Sequence, residues 1–233
     1  MISVCIATYN GEKYIKEQLT SVLSQLSNED EVIISDDSST DKTLEIIESF
    51  HDARIKIFAG NTFHSPAFNF ENALKKANGD YIFLCDQDDV WLPDKVKVFI
   101  EKLHFYDLVV SDCYVVDKKM NIILDSFYSV LSPSNGLLKN LMRNHYLGCC
   151  MAFKNKVLRK ALPFPKHIAM HDIWLGLCAE AFYNSVFIPN KLMKYRRHGG
   201  NVSPTGEKSS FSIVYRVYYR LYFLYQITLR SLK

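Results

Sequence analysis

The chain has 233 residues, of which 48% are hydrophobic and 23% are charged, and its formal net charge is +3. This composition is typical of a globular protein that buries a core, which excludes a largely disordered chain. The small net charge also argues against a nucleic-acid-binding protein, because such proteins usually present a clearly basic face.

The cysteines and the apolar runs indicate the cellular compartment of the protein. Six cysteines occur without any CxxC spacing, so we expect buried free thiols in a reducing compartment rather than a zinc or redox site. No signal-peptide pattern is visible, and no uncharged run reaches the roughly 18 residues of a membrane-spanning helix. The sequence therefore predicts a cytoplasmic protein.

Apolar, β-branched runs alternate with helical periodicity along the first half of the chain. Strands are predicted at 2–7, 32–34, 54–58, 81–85 and 108–116. Helices are predicted at 15–26, 44–50 and 68–77 and from Pro93 onward, with Ser39 or Thr40 capping the second helix. Such alternation predicts an α/β fold, in which a mostly parallel, Rossmann-like sheet carries helices on both faces.

The alternation ends after residue 116, and the second half is predicted piece by piece. A helix is expected at 172–182, extended chain at 187 and 191–195, a polar loop at 199–210 and a long helix at 211–232.

Three carboxylates, Asp86, Asp88 and Asp89, directly follow the fourth predicted strand. Their mutual repulsion is costly unless solvent or a cation relieves it, and oxygen ligands suit Mg²⁺ or Mn²⁺. A solvated acidic turn is the alternative. The apolar segments 83–85 and 90–93 hold this turn against the core, which favours a metal site. It would lie at the sheet edge where open α/β folds bind ligands.

Polar residues also follow the first two predicted strands. Thr8, Tyr9 and Asn10 come after the first strand, and Asp36 and Asp37 come after the second. Helix capping by the aspartates and simple packing of the tyrosine are the structural alternatives. Because the ends of parallel strands share one sheet edge, these residues could instead bind the base or ribose of a nucleotide there.

Two later segments each allow a structural and a functional interpretation. Asp172 stands at a helix start, where it is either a cap or dipole partner or a general base toward an acceptor hydroxyl. Arg196, Arg197 and His198 form a basic cluster before two glycines. That cluster is either a solvated loop or a diphosphate contact with His198 near the metal.

Five segments, in chain order, resemble family 2 glycosyltransferases with the GT-A fold along nearly the whole chain. They are 3–11 (SVCIATYNG), 35–39 (SDDSS), 85–91 (CDQDDVW), 170–174 (MHDIW) and 195–201 (YRRHGGN). Each segment alone is modestly specific, whereas five in order are very specific. The third matches the DxD region of that family. The residues of the third and fourth segments are similar to those of family members labelled rhamnosyltransferases.

The resemblance implies a nucleotide-sugar donor, a saccharide acceptor and a divalent cofactor, Mn²⁺ or Mg²⁺. The implied metal ligands are Asp88, Asp89 and His198. The implied donor-binding residues are Thr8, Tyr9, Asn10, Glu12, Asp36, Asp37, Asp86, Gln87 and Arg196. The implied acceptor-side residues are Trp91, Gly148, Cys149, His171 and Trp174. Asp172 matches the base of an inverting displacement at the anomeric carbon.

The implied reaction moves a sugar from dTDP-rhamnose or a UDP-hexose to an acceptor hydroxyl in surface polysaccharide synthesis. On this interpretation a GT-A domain at 1–205 has a nucleotide-binding half at 1–115 and an acceptor-side half at 116–205. Two other classes stay open. An inactive sugar-nucleotide-binding scaffold would be expected to have lost Asp172. A metal-dependent nucleotidyltransferase would be expected to show a glycine-rich phosphate loop, whereas residues 8–13 are poor in glycine.

The remaining segment, 206–233, is predicted to be a basic, aromatic C-terminal helix. From Lys208 onward it carries five Lys or Arg residues and no acid, together with many tyrosines. A helix of this kind can lie in a membrane interface through 211–233, which would place the enzyme at the inner face of the membrane beside a lipid-linked acceptor. A homodimer contact and packing on the protein's own core are the alternatives.

Overall fold

The computed structural model of the protein describes residues 1–198 and 212–232, and within them nine strands form one sheet. The strands are Ile2–Thr8 (β1), Glu31–Asp36 (β2), Ile55–Phe58 (β3), Tyr81–Asp86 (β4), Val90–Trp91 (β5), Leu108–Val116 (β6), Ile122–Leu124 (β7), Met151–Lys154 (β8) and Ser185–Arg196 (β9). All five strands predicted in the first half are present. The predicted loop at 199–210 and the last three residues of the fifth motif lie outside the described residues.

The sheet has the order β3-β2-β1-β4-β8-β6-β9-β5, with β7 paired to β6. Strands β1 to β4, β6 and β9 run in one direction, whereas β5, β7 and β8 run against their neighbours. The expected mostly parallel α/β sheet is therefore confirmed. Buried β-branched and aliphatic side chains on both faces explain the unbroken apolar runs of β1 and β2.

The connections explain where a ligand crevice opens. The chain moves from β1 through β2 to β3 and then returns to the far side of β1 as β4. With right-handed crossovers, this reversal places the helix after β3 on the opposite face from the helices after β1 and β2. The carboxyl ends of β1 and β4 flank the point of reversal, and such points are where open α/β sheets bind ligands. Thr8 and Asp86 stand at these two ends.

Nine α-helices lie within the described residues. They are Ile15–Leu23 (α1), Thr43–Glu48 (α2), Pro66–Lys76 (α3), Lys95–Leu103 (α4), Tyr128–Leu131 (α5), Leu137–Met142 (α6), Leu158–Ala161 (α7), His171–Phe182 (α8) and Ile213–Ser231 (α9). Short 3₁₀ turns occur at Gly148–Cys150 and Asn155–Val157. All six cysteines are free and buried.

Two local predictions need correction. The capping of α2 by Ser39 or Thr40 is wrong, because this helix begins at Thr43 and the Ser39 hydroxyl donates to the Asp36 carboxylate instead. The fourth helix begins at Lys95 rather than Pro93, since Asp94 before it has a left-handed φ of 66°. The short strand β5 was not predicted, and its antiparallel pairing to β9 draws the acidic turn toward the end of β9.

The C-terminal helix α9 belongs partly to the core. Phe223 and Ile227 are buried, and the Phe223 ring lies 5.8 Å from that of Trp174 on α8. Arg220 and Arg230 donate hydrogen bonds to carbonyl oxygens at 141–142 and 162–163. One face of α9 thus packs on its own chain, while the other remains exposed. None of the helices in the described ranges has the length and apolar character needed to cross a bilayer.

Candidate active site

The ends of β1 and β2 are joined by a fully buried carboxylate. Asp36 accepts hydrogen bonds from the Thr8 hydroxyl at 2.7 Å and from the Ser39 hydroxyl at 2.6 Å and backbone N–H at 2.8 Å. Since its exposure is 0%, Asp36 sets the shape of the strand ends from beneath. Its neighbour Asp37 is buried as well and accepts from the backbone N–H of Phe63.

The loop after β1 is bound to the acidic turn by a side-chain amide. Gln87 accepts from the Tyr9 N–H at 2.9 Å and donates to the Tyr9 carbonyl at 3.0 Å. The Tyr9 ring is 57% exposed, so its face is open to a ligand. A Cβ at Gly11 would lie 2.4 Å from the Gln87 amide oxygen, so a larger residue there would displace this amide from Tyr9.

Asn10 and Glu12 connect the same loop to the segment before α2. Asn10, with a left-handed φ of 50°, accepts from the Thr40 N–H at 2.8 Å. Glu12 accepts from the Lys42 N–H at 3.1 Å. Both residues therefore border the crevice and stabilise its rim.

The three carboxylates after β4 lie close together but have different hydrogen-bond partners. Asp88 lies with one oxygen 2.7 Å from Nε2 of His198. Asp89 accepts from the Arg196 N–H at 2.9 Å through one oxygen, and its other oxygen is buried without a partner among the described residues. Asp86, Asp89 and the Cys149 thiol each offer a ligand atom within 4.8 Å of the others.

Burial dominates the titration of this cluster. Burial together with the charges of Asp88 and Asp172 raises the pKa of Asp86 to about 7. Burial and the charges of Asp88 and Asp86 raise the pKa of Asp89 well above its ordinary value. Burial also raises the pKa of Asp88, although its hydrogen bond with His198 acts in the opposite direction. The protein thus concentrates carboxylates where their negative charge is expensive unless a cation neutralises it.

Arg196 braces the acidic turn from the end of β9. Its Nε donates to the Asp88 carbonyl at 2.8 Å, and its guanidinium pairs with Glu17 on α1. The same guanidinium lies 4.6 Å from the centre of the Tyr14 ring, which stacks on His198 at 4.8 Å. Because Arg196 is only 4% exposed, these internal contacts hold it in place.

The candidate base lies at the first turn of α8. Asp172 is 4% exposed and accepts from its neighbour, the Ile173 N–H, at 2.7 Å. Burial raises the pKa of Asp172 to about 6, although nearby backbone N–H groups, including that of Gly148, lower it. A carboxylate with that pKa can take up a proton near neutral pH.

His171 faces the same turn. Its ring stacks on Phe70 at 4.1 Å, and a Cβ at Gly148 would lie 2.8 Å from its Nε2. That nitrogen is buried without a hydrogen-bond partner among the described residues. Burial lowers the pKa of His171 to about 3, so the imidazole is neutral.

The two tryptophans predicted on the acceptor side lie in the core. Trp174 is fully buried and donates from Nε1 to the Ala161 carbonyl at 2.9 Å. Trp91 is 3% exposed and packs 5.6 Å from the Phe83 ring. Both rings therefore pack behind the site, and their assignment to the acceptor side stays a prediction.

Three residues around the site were not predicted from the sequence. Tyr14 and Glu17 reach Arg196 only through the tertiary fold. Lys95 is fully buried, and a signal for it did exist. It shares one face of α4 with Phe99 and Leu103, at i, i+4 and i+8, which is the spacing of a buried stripe.

The residues present fit a hard divalent cation. Carboxylate and imidazole groups meet at Asp88 and His198, and the partnerless buried oxygen of Asp89 is an acceptor that needs a donor or a cation. Mg²⁺ and Mn²⁺ take such ligands together with substrate phosphates. The softer Cys149 thiol lies at the buried side of the cluster.

The family model for glycosyl transferase family 2 matches residues 3–162. The dTDP-rhamnosyl transferase RfbG of Shigella flexneri is 31% identical to this chain over an alignment of 250 residues, gaps included. The alignment covers 92% of this chain and 81% of RfbG. This chain belongs to glycosyl transferase family 2. It is therefore a glycosyltransferase, and the family expected from the five motifs is confirmed.

Other relatives differ in the sugar that their names specify. WfgD of Escherichia coli, a UDP-Glc:alpha-D-GlcNAc-diphosphoundecaprenol beta-1,3-glucosyltransferase, is 25% identical over 206 residues. The match covers 87% of this chain and 79% of WfgD. Rhamnosyl and glucosyl transferases thus occur among the relatives, so family membership leaves the donor sugar open.

Solved structures confirm the GT-A fold. The crystal structure of S. aureus TarS 1-349 in complex with UDP-GlcNAc has a TM-score of 0.73 at 21% identity. The match spans all of this chain and 66% of the TarS 1-349 chain. The mannosyltransferase PcManGT from Pyrobaculum calidifontis, in complex with GDP-Man and Mn²⁺, has a TM-score of 0.61 at 18% identity. That match covers 98% of this chain and 73% of PcManGT.

Proposed function

We propose that this glycosyltransferase transfers a sugar from a nucleotide-diphosphate donor to an acceptor hydroxyl with inversion at the anomeric carbon. The observation that carries the proposal is the position of Asp172. It is buried at the start of α8, where a Cβ at Gly148 would lie 3.6 Å from the Cβ of Asp172. The thiol of the next residue, Cys149, lies within 4.8 Å of a carboxylate oxygen of Asp86 at the end of β4, and we infer from this that the candidate base and the candidate diphosphate site share one pocket.

In the proposed reaction, Asp172 accepts the proton of the acceptor hydroxyl. The acceptor oxygen then attacks the anomeric carbon, and the bond from that carbon to the diphosphate oxygen breaks. The diphosphate leaves with the bonding electron pair. A single displacement of this kind needs one base and inverts the configuration, and a positioned base typically contributes 10²- to 10⁴-fold to the rate.

The donor occupies the crevice at the ends of β1, β2 and β4. The exposed Tyr9 ring offers a face to the base, and Asp37 and Thr8 lie at the adjoining strand ends. Asp88, Asp89 and His198 would hold the divalent cation, which supplies positive charge to stabilise the leaving diphosphate. Arg196 and Gln87 keep the acidic turn in position for it.

The acceptor approaches from the side of α8, where the buried Nε2 of His171 has no hydrogen-bond partner among the described residues. We propose a lipid-linked saccharide as acceptor, which the diphosphoundecaprenol-linked acceptor in the name of WfgD supports. The exposed face of α9, with Val217, Leu221 and Tyr225 at 50%, 62% and 58% exposure, would then lie in the interface at the inner face of the membrane.

A donor panel tests this proposal. The protein is heated with dTDP-rhamnose, UDP-glucose, UDP-galactose, UDP-GlcNAc or UDP-GalNAc, each with Mn²⁺, with Mg²⁺ or with EDTA. We expect one donor to raise Tm only when the metal is present, because a ligand that binds the folded state alone stabilises it by mass action. An unchanged Tm with every donor in both metals would contradict the proposed donor site.

A second experiment tests the proposed membrane contact of α9. The wild type and a Leu221→Asp variant are each sedimented with anionic liposomes, and we expect the variant to bind the liposomes less. Equal sedimentation of the two proteins would exclude the membrane contact of α9.

A further inference from the structure

Helix α4 places a lysine ammonium in the interior of the protein. Lys95 is 0% exposed. Its Nζ donates to the Cys149 carbonyl at 2.7 Å and lies 3.3 Å from the Met193 sulfur. The rings of Trp91 and Phe99 lie 4.7 and 5.6 Å away. Removing an ammonium from water is costly, and neutral partners compensate it less well than a carboxylate does.

The carbonyl that Lys95 holds belongs to the turn at Gly148–Cys150. This turn contacts both halves of the proposed site. The Cys149 thiol lies within 4.8 Å of carboxylate oxygens of Asp86 and Asp89. On the other side, a Cβ at Gly148 would lie only 3.6 Å from Cβ of Asp172. A displacement of the turn would therefore move groups at the acidic cluster and at the candidate base together.

Lys95 also connects the turn to β9. Met193 on β9 contacts the ammonium and lies 3.6 Å from the Cys150 thiol. Three residues further along the same strand, the Arg196 N–H donates to Asp89. A single buried cation thus links α4, the Gly148–Cys150 turn and the strand that braces the acidic turn.

Its charge matters as well as its hydrogen bond. Burial raises the pKa of the Cys85 thiol at the end of β4 well above its ordinary value, and the ammonium acts in the opposite direction. Hydrogen bonds with the Cys113 and Cys149 thiols, together with the charge of Lys95, hold the pKa of Cys150 well below its ordinary value against the effect of burial. A positive charge is thus fixed near the strand end that the three carboxylates follow in the sequence.

We propose that Lys95 is a positioning residue, which holds the Gly148–Cys150 turn so that the carboxylates after β4 and Asp172 keep their relative placement. This inference rests on the proposed function, because it assigns Lys95 a role for that site. Lys95 does not touch the substrate. Its loss should act on metal affinity and on turnover through the turn, while leaving the folded structure intact.

The decisive variant is Lys95→Met, whose unbranched side chain is one atom shorter than that of lysine and has neither its charge nor its donors. Lys97→Met is the matched control, since Lys97 is an exposed residue of the same helix. Mn²⁺ affinity is measured without donor, from the free-ion EPR signal, and turnover is measured as slow donor hydrolysis. We expect Lys95→Met to keep a wild-type or higher Tm, to bind Mn²⁺ about 10-fold more weakly and to lose about 10- to 100-fold in kcat. Lys97→Met should match the wild type in all three quantities.

A second variant, Lys95→Gln, keeps an N–H donor without the charge and serves if the methionine variant does not fold. If both variants fold, Lys95→Gln should bind Mn²⁺ more tightly than Lys95→Met does. If only Lys95→Gln folds, it should bind Mn²⁺ more weakly than the wild type does. Wild-type Mn²⁺ affinity and kcat in either folded variant would overturn the inference. Failure of both variants to fold would also overturn it, because Lys95 would then serve the core alone. If the wild type itself binds neither Mn²⁺ nor a donor, the proposed function fails before Lys95 is tested.

Discussion

The Asp172→Asn variant is expected to lose about 10²- to 10⁴-fold in kcat, while its affinity for the donor stays near that of the wild type. Asparagine has the same shape and can still accept the hydrogen bond from the Ile173 N–H. It cannot take the proton of the acceptor hydroxyl. The loss should therefore fall on turnover rather than on folding or donor binding.

The fold of this variant should be preserved for a further reason. Asp172 is a buried carboxyl whose charge acts on Asp86, so its neutralisation relieves repulsion instead of creating it. Asp80→Asn is the matched control, because the Asp80 side chain is 79% exposed just before the opposite end of β4. Both variants are compared by Tm, by donor titration and by turnover. An Asp172→Asn enzyme with kcat within a factor of about three of the wild type would remove Asp172 from the proposed role.

Asp88→Asn is expected to weaken Mn²⁺ binding by at least about 10- to 100-fold, the loss typical even for outer-shell partners of a metal. The metal-dependent rise of Tm with the donor should then disappear. Asparagine keeps a carbonyl oxygen but has no charge, so the pairing with His198 at 2.7 Å loses its carboxylate. Without metal, the variant should be at least as stable as the wild type, because burial raises the pKa of Asp88 and thus opposes its charge.

The control for this variant is Asp94→Asn, five residues after Asp89 on the same connection. Asp94 is exposed and has a φ of 66°, a conformation that asparagine adopts readily. Isothermal titration with Mn²⁺ and thermal shift with the donor compare the two variants with the wild type. If Asp88→Asn retained wild-type Mn²⁺ affinity, the metal would have to be placed on other residues.

The strands and their order could be predicted in part, and the limit is physical. The alternation of apolar runs and helical stripes over the first 116 residues gives β1 to β4 and β6, and the runs of β1, β2, β4 and β6 are almost wholly buried. The antiparallel insertion of β8 between β4 and β6 could not be predicted. It depends on pairing with residues 151–154, and local periodicity contains no information on such distant partners.

Within the site, residue types were more predictable than their contacts. The acidic turn and Asp172 follow from their places at element ends, where ligands bind in this class of sheet. The buried role of Asp36 depends on hydroxyl groups of Thr8 and Ser39 that meet it only in the folded protein. For Trp174, the choice between pocket and core is decided by the packing of α9, which the sequence of α8 does not reveal.

The central claim is that Asp172 and the carboxylates after β4 form one inverting active site. The most direct measurement is time-resolved ¹H NMR of the sugar that is released when water replaces the acceptor, with the donor that the panel selects. Inversion predicts that the first anomer to appear has the configuration opposite to that of the donor, before mutarotation mixes the two, and that Asp172→Asn abolishes the signal. First appearance of the retained anomer would contradict the single displacement and the assignment of Asp172 as its base.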